Sequence, residues 1–232
     1  YPSSKSVLVP TNINTRNCFT QLISLKDGIV TKFSFSRNES EEAMLTGMAN
    51  SLGVVEKNDY QLIDAEGVAS ELYTKGQGAT YPYVNIQEPV SVIASSEIYM
   101  NGSLIDNNSF TYHNAVIHRQ GLGFCGFEKI VICNKKGDKH VRTYDPCRYG
   151  ILVSETAPTF ENSYAYMTDI QANKIAKIRL FYKKENDLLK DVSATTYYAY
   201  DAYGYPTSES ISYTGNITEK KKNTYTSKTT VE

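Results

Sequence analysis

From residue 90 onward, apolar and polar residues alternate with a period of two, in short runs that turn-forming residues separate. In KIAKIRLFYKK (174–184) one set of alternate side chains is apolar, and the other set, which includes Phe181, is mostly basic. A period of two is typical of a strand with one face in the core and the other in water. Asp27-Gly28 and Asn101-Gly102 stand between such runs, and Asx-Gly pairs favour two-residue hairpin turns. The pattern predicts antiparallel sheets built from consecutive hairpins.

Two segments of the N-terminal part carry helical spacing instead. Asn38 and Glu41 form a capping box, and Gly53 would end the helix that begins there. Apolar residues recur between them at helical intervals, at Met44, Leu45, Met48 and Leu52. A weaker second helix would begin at Asp64. We expect amphipathic helices that lie on a sheet, with both methionines in the core.

The stretch GQGATYPYVNIQEP (76–89) carries glycine and proline without periodicity and is the candidate domain boundary. The sequence therefore predicts a small α+β part over residues 1–80 and an antiparallel β domain over residues 81–232, with one continuous domain as the alternative. The predicted fold class is mainly β, α+β overall, with sandwich-like antiparallel sheets and one or two short helices in the N-terminal part. A chain of 232 residues can bury a core without an external crosslink.

Charge and hydropathy exclude two classes of partner. The chain has 24 basic and 25 acidic residues, and its net charge of -1 gives no field to hold nucleic acid or an anionic membrane. The longest apolar runs are a handful of residues, whereas a membrane-spanning helix needs about 20. We expect no nucleic-acid partner and no transmembrane segment.

The cysteines suggest a crosslinked hairpin. If Lys135, Lys136 and Gly137 form a hairpin loop with Gly137 in the left-handed conformation, counting outward along both strands sets Cys125 opposite Cys147. Directly opposed residues have Cβ atoms about 4.5 to 5.5 Å apart, near the reach of a disulfide. A Cys125–Cys147 bridge would close a loop of about 22 residues and contribute on the order of 3 kcal/mol.

Other states of the cysteines remain open. Cys18 and Cys133 are a possible second pair, for which the sequence gives no geometry, and four unpaired buried thiols are the alternative. A zinc site is disfavoured because His140 stands seven residues from both Cys133 and Cys147, without the tight C-x-x-C spacing that pre-organises tetrahedral sites. We expect no metal and no cofactor.

Several features favour an exported protein. The chain begins at Tyr1 without an initiator methionine, which suggests either a processed protein or a trimmed sequence, with a lipid anchor ahead of Tyr1 as one option. Asn101 and Asn107 are among four N-x-S/T sequons. An even number of cysteines suits an oxidising compartment. The expected location is extracellular or at a cell surface.

No catalytic motif is present. The sequence contains no G-x-S-x-G elbow, P-loop, H-E-x-x-H or dinucleotide fingerprint. His118 lies seven residues before Cys125, so a Cys-His nucleophile pair would need the fold to bring the two side chains together. Carboxylate pairs for glycoside hydrolysis stay open, because sequence fixes no distances. An enzyme is therefore uncertain and disfavoured, with a hydrolase of unidentified site as the remaining option.

The segment YYAYDAYGYPT (197–207) holds five of the 19 tyrosines. Its pattern, Y-x-Y-D-x-x-G-x-x-T from Tyr198 to Thr207, resembles the strand-turn-strand units of YD (Rhs-type) repeats and of uncharacterised surface lipoproteins of Bacteroidales. The resemblance covers about ten residues and implies an exported β-rich protein, without supplying catalytic residues. From the residues themselves, Asp201 and Gly204 should make a turn, with Tyr198 and Tyr200 on one strand face.

These observations favour a non-enzymatic recognition or attachment protein that binds a glycan or a protein at a cell surface. Tyrosine supplies rigid, amphipathic contact area, so Tyr198, Tyr200 and Tyr205 are the candidate ligand-binding residues, with sheet filling as the alternative. The absence of tryptophan is untypical of a carbohydrate platform. A second hypothesis is a self-associating subunit of a surface fibre, in which Ser6–Pro10 adds a strand to a neighbour's sheet.

Overall fold

The computed structural model describes residues 7–11, 21–33, 44–64, 69–172, 175–214 and 217–223, most of which lie in β-strands. The strands of the first half are β1 (Val7–Thr11), β2 (Gln21–Lys26), β3 (Ile29–Phe33), β4 (Gly47–Ala49), β5 (Val54–Leu62), β6 (Tyr73–Thr74), β7 (Tyr83–Ile86), β8 (Ser91–Met100) and β9 (Ser103–His118). Those of the second half are β10 (Gly123–Cys133), β11 (Lys139–Asp145), β12 (Ile151–Ala157), β13 (Phe160–Ile170), β14 (Ala176–Asp187), β15 (Val192–Tyr200), β16 (Pro206–Tyr213) and β17 (Thr218–Lys222). The described helical residues are a single α-helical turn, α1 (Ala69–Leu72), and a 3-10 turn (Pro146–Arg148). The predicted β-rich, antiparallel class is confirmed.

Contacts divide the chain into two units that are interleaved in sequence. The first unit comprises residues 1–69 and 87–107, and the second comprises residues 70–86 and 108–232. Strand β9 begins in the first unit and ends in the second. The boundary predicted at residues 80 and 81 stays a prediction, because these units are defined by contacts and not by independent folding.

The first unit contains two antiparallel arrangements. Strands β1, β2 and β3 form a three-stranded sheet, and β5 pairs with β4 on one side and β8 on the other. Both predicted Asx-Gly turns are present, because Asp27-Gly28 joins β2 to β3 and Asn101-Gly102 joins β8 to β9, with positive φ at all four residues. Among the described residues of this unit, Ile63 and Val92 are the buried apolar side chains.

The predicted amphipathic helix between Asn38 and Gly53 is wrong in its described part. Residues 47–49 form strand β4, and Met48 lies opposite Glu56 on β5. The Asn50 side chain accepts backbone N–H groups and turns the chain directly into β5, so strand pairing replaces the helical spacing. Met48 is 50% exposed and is not a core residue. The Asn38–Glu41 capping box lies outside the described residues.

The second predicted helix, starting at Asp64, is also wrong. A single turn, α1, is formed, and the chain becomes extended at Tyr73. Tyr73 pairs in parallel with Tyr112 of β9, so tertiary strand pairing overrides the helical signal of the preceding residues. Residues 65–68 lie outside the described part.

The second unit is a meander. Each strand from β9 to β17 pairs antiparallel with the next along the chain. Short β6 and β7 pair with β9 on the edge opposite β10. Among the described residues of this unit all strands belong to one sheet, and the sandwich-like arrangement is not confirmed.

The most buried residues of the second unit lie where β6 and β7 meet β9. Tyr73 is buried, and its hydroxyl donates a hydrogen bond to the Ile86 carbonyl while accepting one from the Ala115 N–H at 3.0 Å. Val116 is also buried. One phenol hydroxyl therefore satisfies polar groups of two strands that flank the core, and burial raises its pKa.

Candidate functional site

The tyrosine-rich segment folds as two strands, β15 and β16, joined by a tight turn at Asp201. Asp201 Oδ1 accepts the backbone N–H groups of Tyr203, Gly204 and Tyr205 at 2.9, 2.7 and 2.8 Å. Gly204 has φ +98°, which glycine adopts without a Cβ clash. The predicted turn of Asp201 and Gly204 is confirmed.

The same turn occurs at Asn134–Asp138 and Asn50–Val54. In both, the asparagine side-chain oxygen accepts the N–H groups two and four residues later at 2.9 to 3.0 Å. In both, a glycine with positive φ donates its N–H to the asparagine carbonyl, at 3.2 Å for Gly53 and 2.9 Å for Gly137. We call this element the Asx-x-x-Gly turn. Sequence reasoning found one copy of the unit, around Asp201, because only there do tyrosines precede the turn.

Tyr198 and Tyr200 lie on one face of β15, as predicted, and both are half-buried. The Tyr200 hydroxyl donates to the Leu180 carbonyl at 2.8 Å, and the guanidinium carbon of Arg179 lies 5.9 Å from the Tyr200 ring centroid. Burial raises the pKa of the Tyr200 hydroxyl. Both the hydroxyl and the ring of Tyr200 are thus already engaged by the protein.

The opposite face carries a cluster of three rings, Phe181, Tyr182 and Tyr197, which we call the aromatic triad. Tyr197 lies opposite Tyr182 in the strand register, with ring centroids 5.9 Å apart. The ring centroid of Phe181 lies 5.9 Å from that of Tyr182 and 6.1 Å from that of Tyr197, and both pairs are edge to face. Phe181 is 42% exposed and Tyr197 is 46% exposed. The triad therefore presents aromatic surface to solvent, whereas the ring of Tyr200 is half-buried.

A β-bulge creates the triad. Ala165 of β13 pairs with Tyr182, whereas Tyr166 pairs with Leu180, so Phe181 is an extra residue on β14. A bulge breaks the alternation of side chains and re-aims the extra residue, which brings Phe181 against its own neighbour in sequence. Strict alternation had placed Phe181 among the basic side chains, and no residue of the segment signals the bulge.

The remaining tyrosines of the segment belong to the turn. Tyr203 is 84% exposed and Tyr205 is 57% exposed. The structure therefore separates the three predicted ligand-binding residues, with Tyr198 and Tyr200 on one sheet face and Tyr205 beside the turn. Their role stays a prediction.

The hairpin of β10 and β11 has the predicted register. Cys133 pairs with Lys139, and Lys129 pairs with Thr143, as counting outward from the loop requires. Gly137 has φ +86° in that loop, as predicted. Beyond the paired residues, Cys125 lies at an irregularity of β10 and Cys147 lies in the 3-10 turn.

Cys125, Cys133 and Cys147 are thiols in the structure, and Cys18 lies outside the described residues. Burial raises the pKa of the Cys125 and Cys147 thiols, the opposite of what an activated nucleophile needs. His118 Nδ1 accepts the N–H of Gln120 at 3.2 Å. The structure gives no support to a Cys125–His118 nucleophile pair.

A pocket of about 250 Å³ lies beside the 3-10 turn, and its wall is part polar and part apolar. Asn114 donates to Glu128 Oε2 at 2.6 Å and accepts from Asn85, whose side-chain oxygen accepts the Ala79 N–H at 2.9 Å. Cys147 lines the same pocket. The amide and carboxylate groups here are bonded to one another and to the loop.

His140 and Arg142 both contact the carboxylate of Glu155. Glu155 Oε1 lies 2.7 Å from His140 Nε2 and 2.8 Å from Arg142 Nε. Burial raises the pKa of Glu155, but hydrogen bonds from Arg142 and His140 outweigh it and hold that pKa below its ordinary value. Across the described ranges no three His, Cys, Asp or Glu side chains are grouped to hold a metal ion. No described helix has the length and apolar character to cross a bilayer.

Comparisons with known proteins show a similarity of fold and no similarity of sequence. No protein-family profile matches the chain, and no curated protein matches it in sequence. A solved structure described as "Crystal Structure of TcdB2-TccC3-TEV" is similar, with a TM-score of 0.54 and 9% sequence identity. The similarity covers 85% of this chain, which spans 13% of the length of that one. At such identity the likeness shows a shared strand architecture.

Proposed function

We propose that this chain is a non-enzymatic recognition protein, exported to a cell surface or beyond, that binds a glycan through the aromatic triad. The observation that carries the proposal is the exposure of Phe181 and Tyr197 on a sheet face, at 42% and 46%. Rings held together by a strand register are rigid, so little conformational entropy is lost when a ligand stacks on them. The triad therefore supports the proposed role better than Tyr200 does.

The surroundings of the triad favour a sugar. Ser210 lies opposite Tyr197 on β16, and Thr195 lies two residues before Tyr197 on the same face. Lys184, which is exposed, lies opposite Thr195. Sugar rings present C–H groups that stack on aromatic faces and hydroxyl groups that bond to serine, threonine and lysine. A glycan thus matches both the rings and their polar rim.

The architecture supports kinship with YD (Rhs-type) strand-turn-strand units. The Asx-x-x-Gly turn at Asp201 follows the pattern quoted from the sequence, and Asn50 and Asn134 begin turns with the same hydrogen bonds. Each turn joins consecutive antiparallel strands of the chain. We infer that β15, the turn and β16 form such a unit, and this inference is consistent with export.

The test is glycan binding by three single variants. Neutral and uronic-acid glycans are screened on an array with the unmodified chain, and each retained glycan is titrated in solution. Tyr197→Ala should weaken binding roughly 10- to 100-fold, because truncation of an aromatic anchor costs about 1.4 to 3 kcal/mol. Phe181→Ala should give a comparable loss. Tyr198→Ala is the matched control, since Tyr198 is the next residue on the opposite face, and it should bind within about twofold of the unmodified chain.

Three results would contradict the proposal. An array on which no glycan is retained would reject the glycan as ligand. Equal losses for Tyr197→Ala and Tyr198→Ala, with the thermal midpoint of both unchanged, would show that the aromatic triad is not the binding face. Loss for Tyr198→Ala alone would move the site to the face first predicted from sequence.

A second candidate function, a self-assembling surface subunit, is favoured by the three-stranded sheet β1–β3. Several of its large apolar side chains are exposed: Leu25 (46%) and Val30 (63%) lie opposite each other on one face, and Ile29 (67%) lies on the other face. Among the described strands β1 is an edge of that sheet and pairs with β2 of its own chain, so its second edge can accept a strand from another copy. An oligomer buries this surface, whereas a single chain leaves it in water.

The assembly hypothesis predicts concentration-dependent oligomers in light scattering. Val30→Lys places a charge on an exposed strand position and should shift the population to monomer without changing the circular dichroism spectrum. Thr31→Lys on the neighbouring exposed position of β3 is the control for added charge. A single monomeric species at every concentration would reject this candidate and leave glycan recognition untouched.

A further inference from the structure

Cys125 and Cys147 both lie at the open end of the β10–β11 hairpin, beyond its last regular pair. The regular register ends with Lys129 opposite Thr143, and the chain beyond β11 folds into the 3-10 turn Pro146–Arg148. Residues of this turn and of β10 approach within 8 Å between Cα atoms. Cα atoms joined by a disulfide are usually about 4.4 to 6.8 Å apart, so the two elements that carry the cysteines approach each other on the length scale of a bridge.

The turn that carries Cys147 is fixed from two sides. Arg148 Nε and Nη2 donate to Thr168 Oγ1 at 2.9 and 2.8 Å. The Gly150 N–H donates to the Asp145 carbonyl at 2.9 Å, and a Cβ built on Gly150 would lie 3.0 Å from the Cys125 carbonyl oxygen. The chain that follows Cys147 is thus packed directly on the backbone of Cys125.

Cys133 cannot compete for either thiol in this fold. It pairs with Lys139 beside the hairpin loop, eight residues along β10 from Cys125. A strand rises about 3.3 Å per residue, so the two cysteines are roughly 26 Å apart along β10. Cys125 and Cys147 are therefore each other's only reachable partners among the described cysteines.

We propose that Cys125 and Cys147 form an intramolecular disulfide that closes the base of the hairpin when the chain meets a disulfide oxidant, either a low-molecular-weight disulfide or an oxidoreductase carrying one. One protein thiolate attacks the oxidant's S–S bond, forms a mixed disulfide and releases one thiolate. The second protein thiolate attacks the protein sulfur of the mixed disulfide, forms the Cys125–Cys147 bond and releases the other thiolate. The protein loses two protons and two electrons, and the oxidant gains the two electrons as two thiols.

The test is peptide mapping of the full chain after incubation with glutathione disulfide under native conditions. Trypsin cleaves after Lys129 and Arg142, so the two cysteines fall on separate peptides unless a disulfide joins them. The expected product is the pair of peptides carrying Cys125 and Cys147, joined, with a mass lower by two hydrogen atoms and separated by reductant. Cys133→Ser should leave this product unchanged, and Cys147→Ser should abolish it.

Other products overturn the proposal. Peptides that join Cys125 or Cys147 to Cys18 or Cys133 would show a different pairing in solution. Separate glutathionylated peptides that persist after long incubation would show that the second thiol cannot reach the first mixed disulfide. Both readouts come from the unmodified chain, so they do not depend on the folding of a variant, and neither bears on glycan binding.

Discussion

Replacement of Asp201 by alanine should loosen the β15–β16 turn far more than replacement by asparagine. In the native turn one carboxylate oxygen accepts three backbone N–H groups at 2.7 to 2.9 Å. Alanine removes the acceptor and leaves those N–H groups to water. Asparagine keeps a side-chain oxygen at the same place, and Asn50 and Asn134 show that such an oxygen accepts equivalent N–H groups in this protein.

The magnitude follows from the exposure of the three bonds. The bond to Gly204 is partly buried, and a hydrogen bond to a charged group contributes about 1.5 to 2 kcal/mol there. The bonds to Tyr203 and Tyr205 are exposed and contribute roughly 0.5 kcal/mol each, because water replaces them at little cost. Asp201→Ala should thus cost about 2.5 to 3 kcal/mol, which corresponds to a fall in thermal midpoint of roughly 5 to 12 °C. Asp201→Asn should cost about 0.5 kcal/mol.

Amide hydrogen exchange is the direct assay, because it reports the turn residue by residue. In Asp201→Ala the Gly204 amide should exchange roughly 60- to 150-fold faster, since exchange follows the local opening free energy. Asn134→Ala, in the equivalent turn of the β10–β11 hairpin, should accelerate exchange at Asp138 and leave Gly204 unchanged. Equal exchange rates in Asp201→Ala and the unmodified chain, or equal losses for alanine and asparagine, would refute the reasoning.

Two further predictions rest on polar groups shielded from water, the buried Tyr73 hydroxyl and the half-buried Glu155 carboxylate. Tyr73→Phe should lower the free energy of unfolding in urea by about 2 to 3 kcal/mol, because the buried Ala115 N–H and Ile86 carbonyl both lose their hydrogen-bond partner. An unchanged urea midpoint would show that water replaces the hydroxyl. Glu155 has a folded pKa below its ordinary value of 4.5, so its contribution to stability is present above about pH 4.5 and lost as pH falls through the folded pKa. In Glu155→Gln the fall in stability between about pH 5 and pH 3 should be shallower than in the unmodified chain, and parallel curves would contradict that assignment.

The hairpins could be predicted from the sequence because their determinants are local. Gly137 permits the left-handed conformation in its loop, and once the loop is placed, the period of two fixes every pair along β10 and β11. The same reasoning found the turns at Asp27-Gly28, Asn101-Gly102 and Asp201. Each depends on a few residues close together in sequence.

The helices were mispredicted because strand pairing competes with helical spacing. Met48 has apolar neighbours at helical intervals, but strand β4 gains backbone hydrogen bonds with β5 once Asn50 reverses the chain. The signal was available, since Asn50 and Gly53 stand in the same relation as Asp201 and Gly204. Reading Asn50 as the first residue of an Asx-x-x-Gly turn predicts a hairpin at that point instead of a helix end.

The aromatic triad could not have been predicted, and the reason is physical. Alternation assigns Phe181 and Tyr182 to opposite faces, and only the register between β13 and β14 shows that Phe181 is an extra residue. A bulge forms when one strand of a hairpin carries a residue that has no partner on the other strand. It therefore depends on how the two strands pair, and the sequence of either strand alone does not show it. The bulge places the ring centroid of Phe181 6.1 Å from that of Tyr197. An unbroken strand would instead have placed Phe181 among basic side chains. The sheet therefore gains its exposed aromatic surface at the place where its regularity fails, which is where natural sheets tend to re-aim side chains toward a ligand.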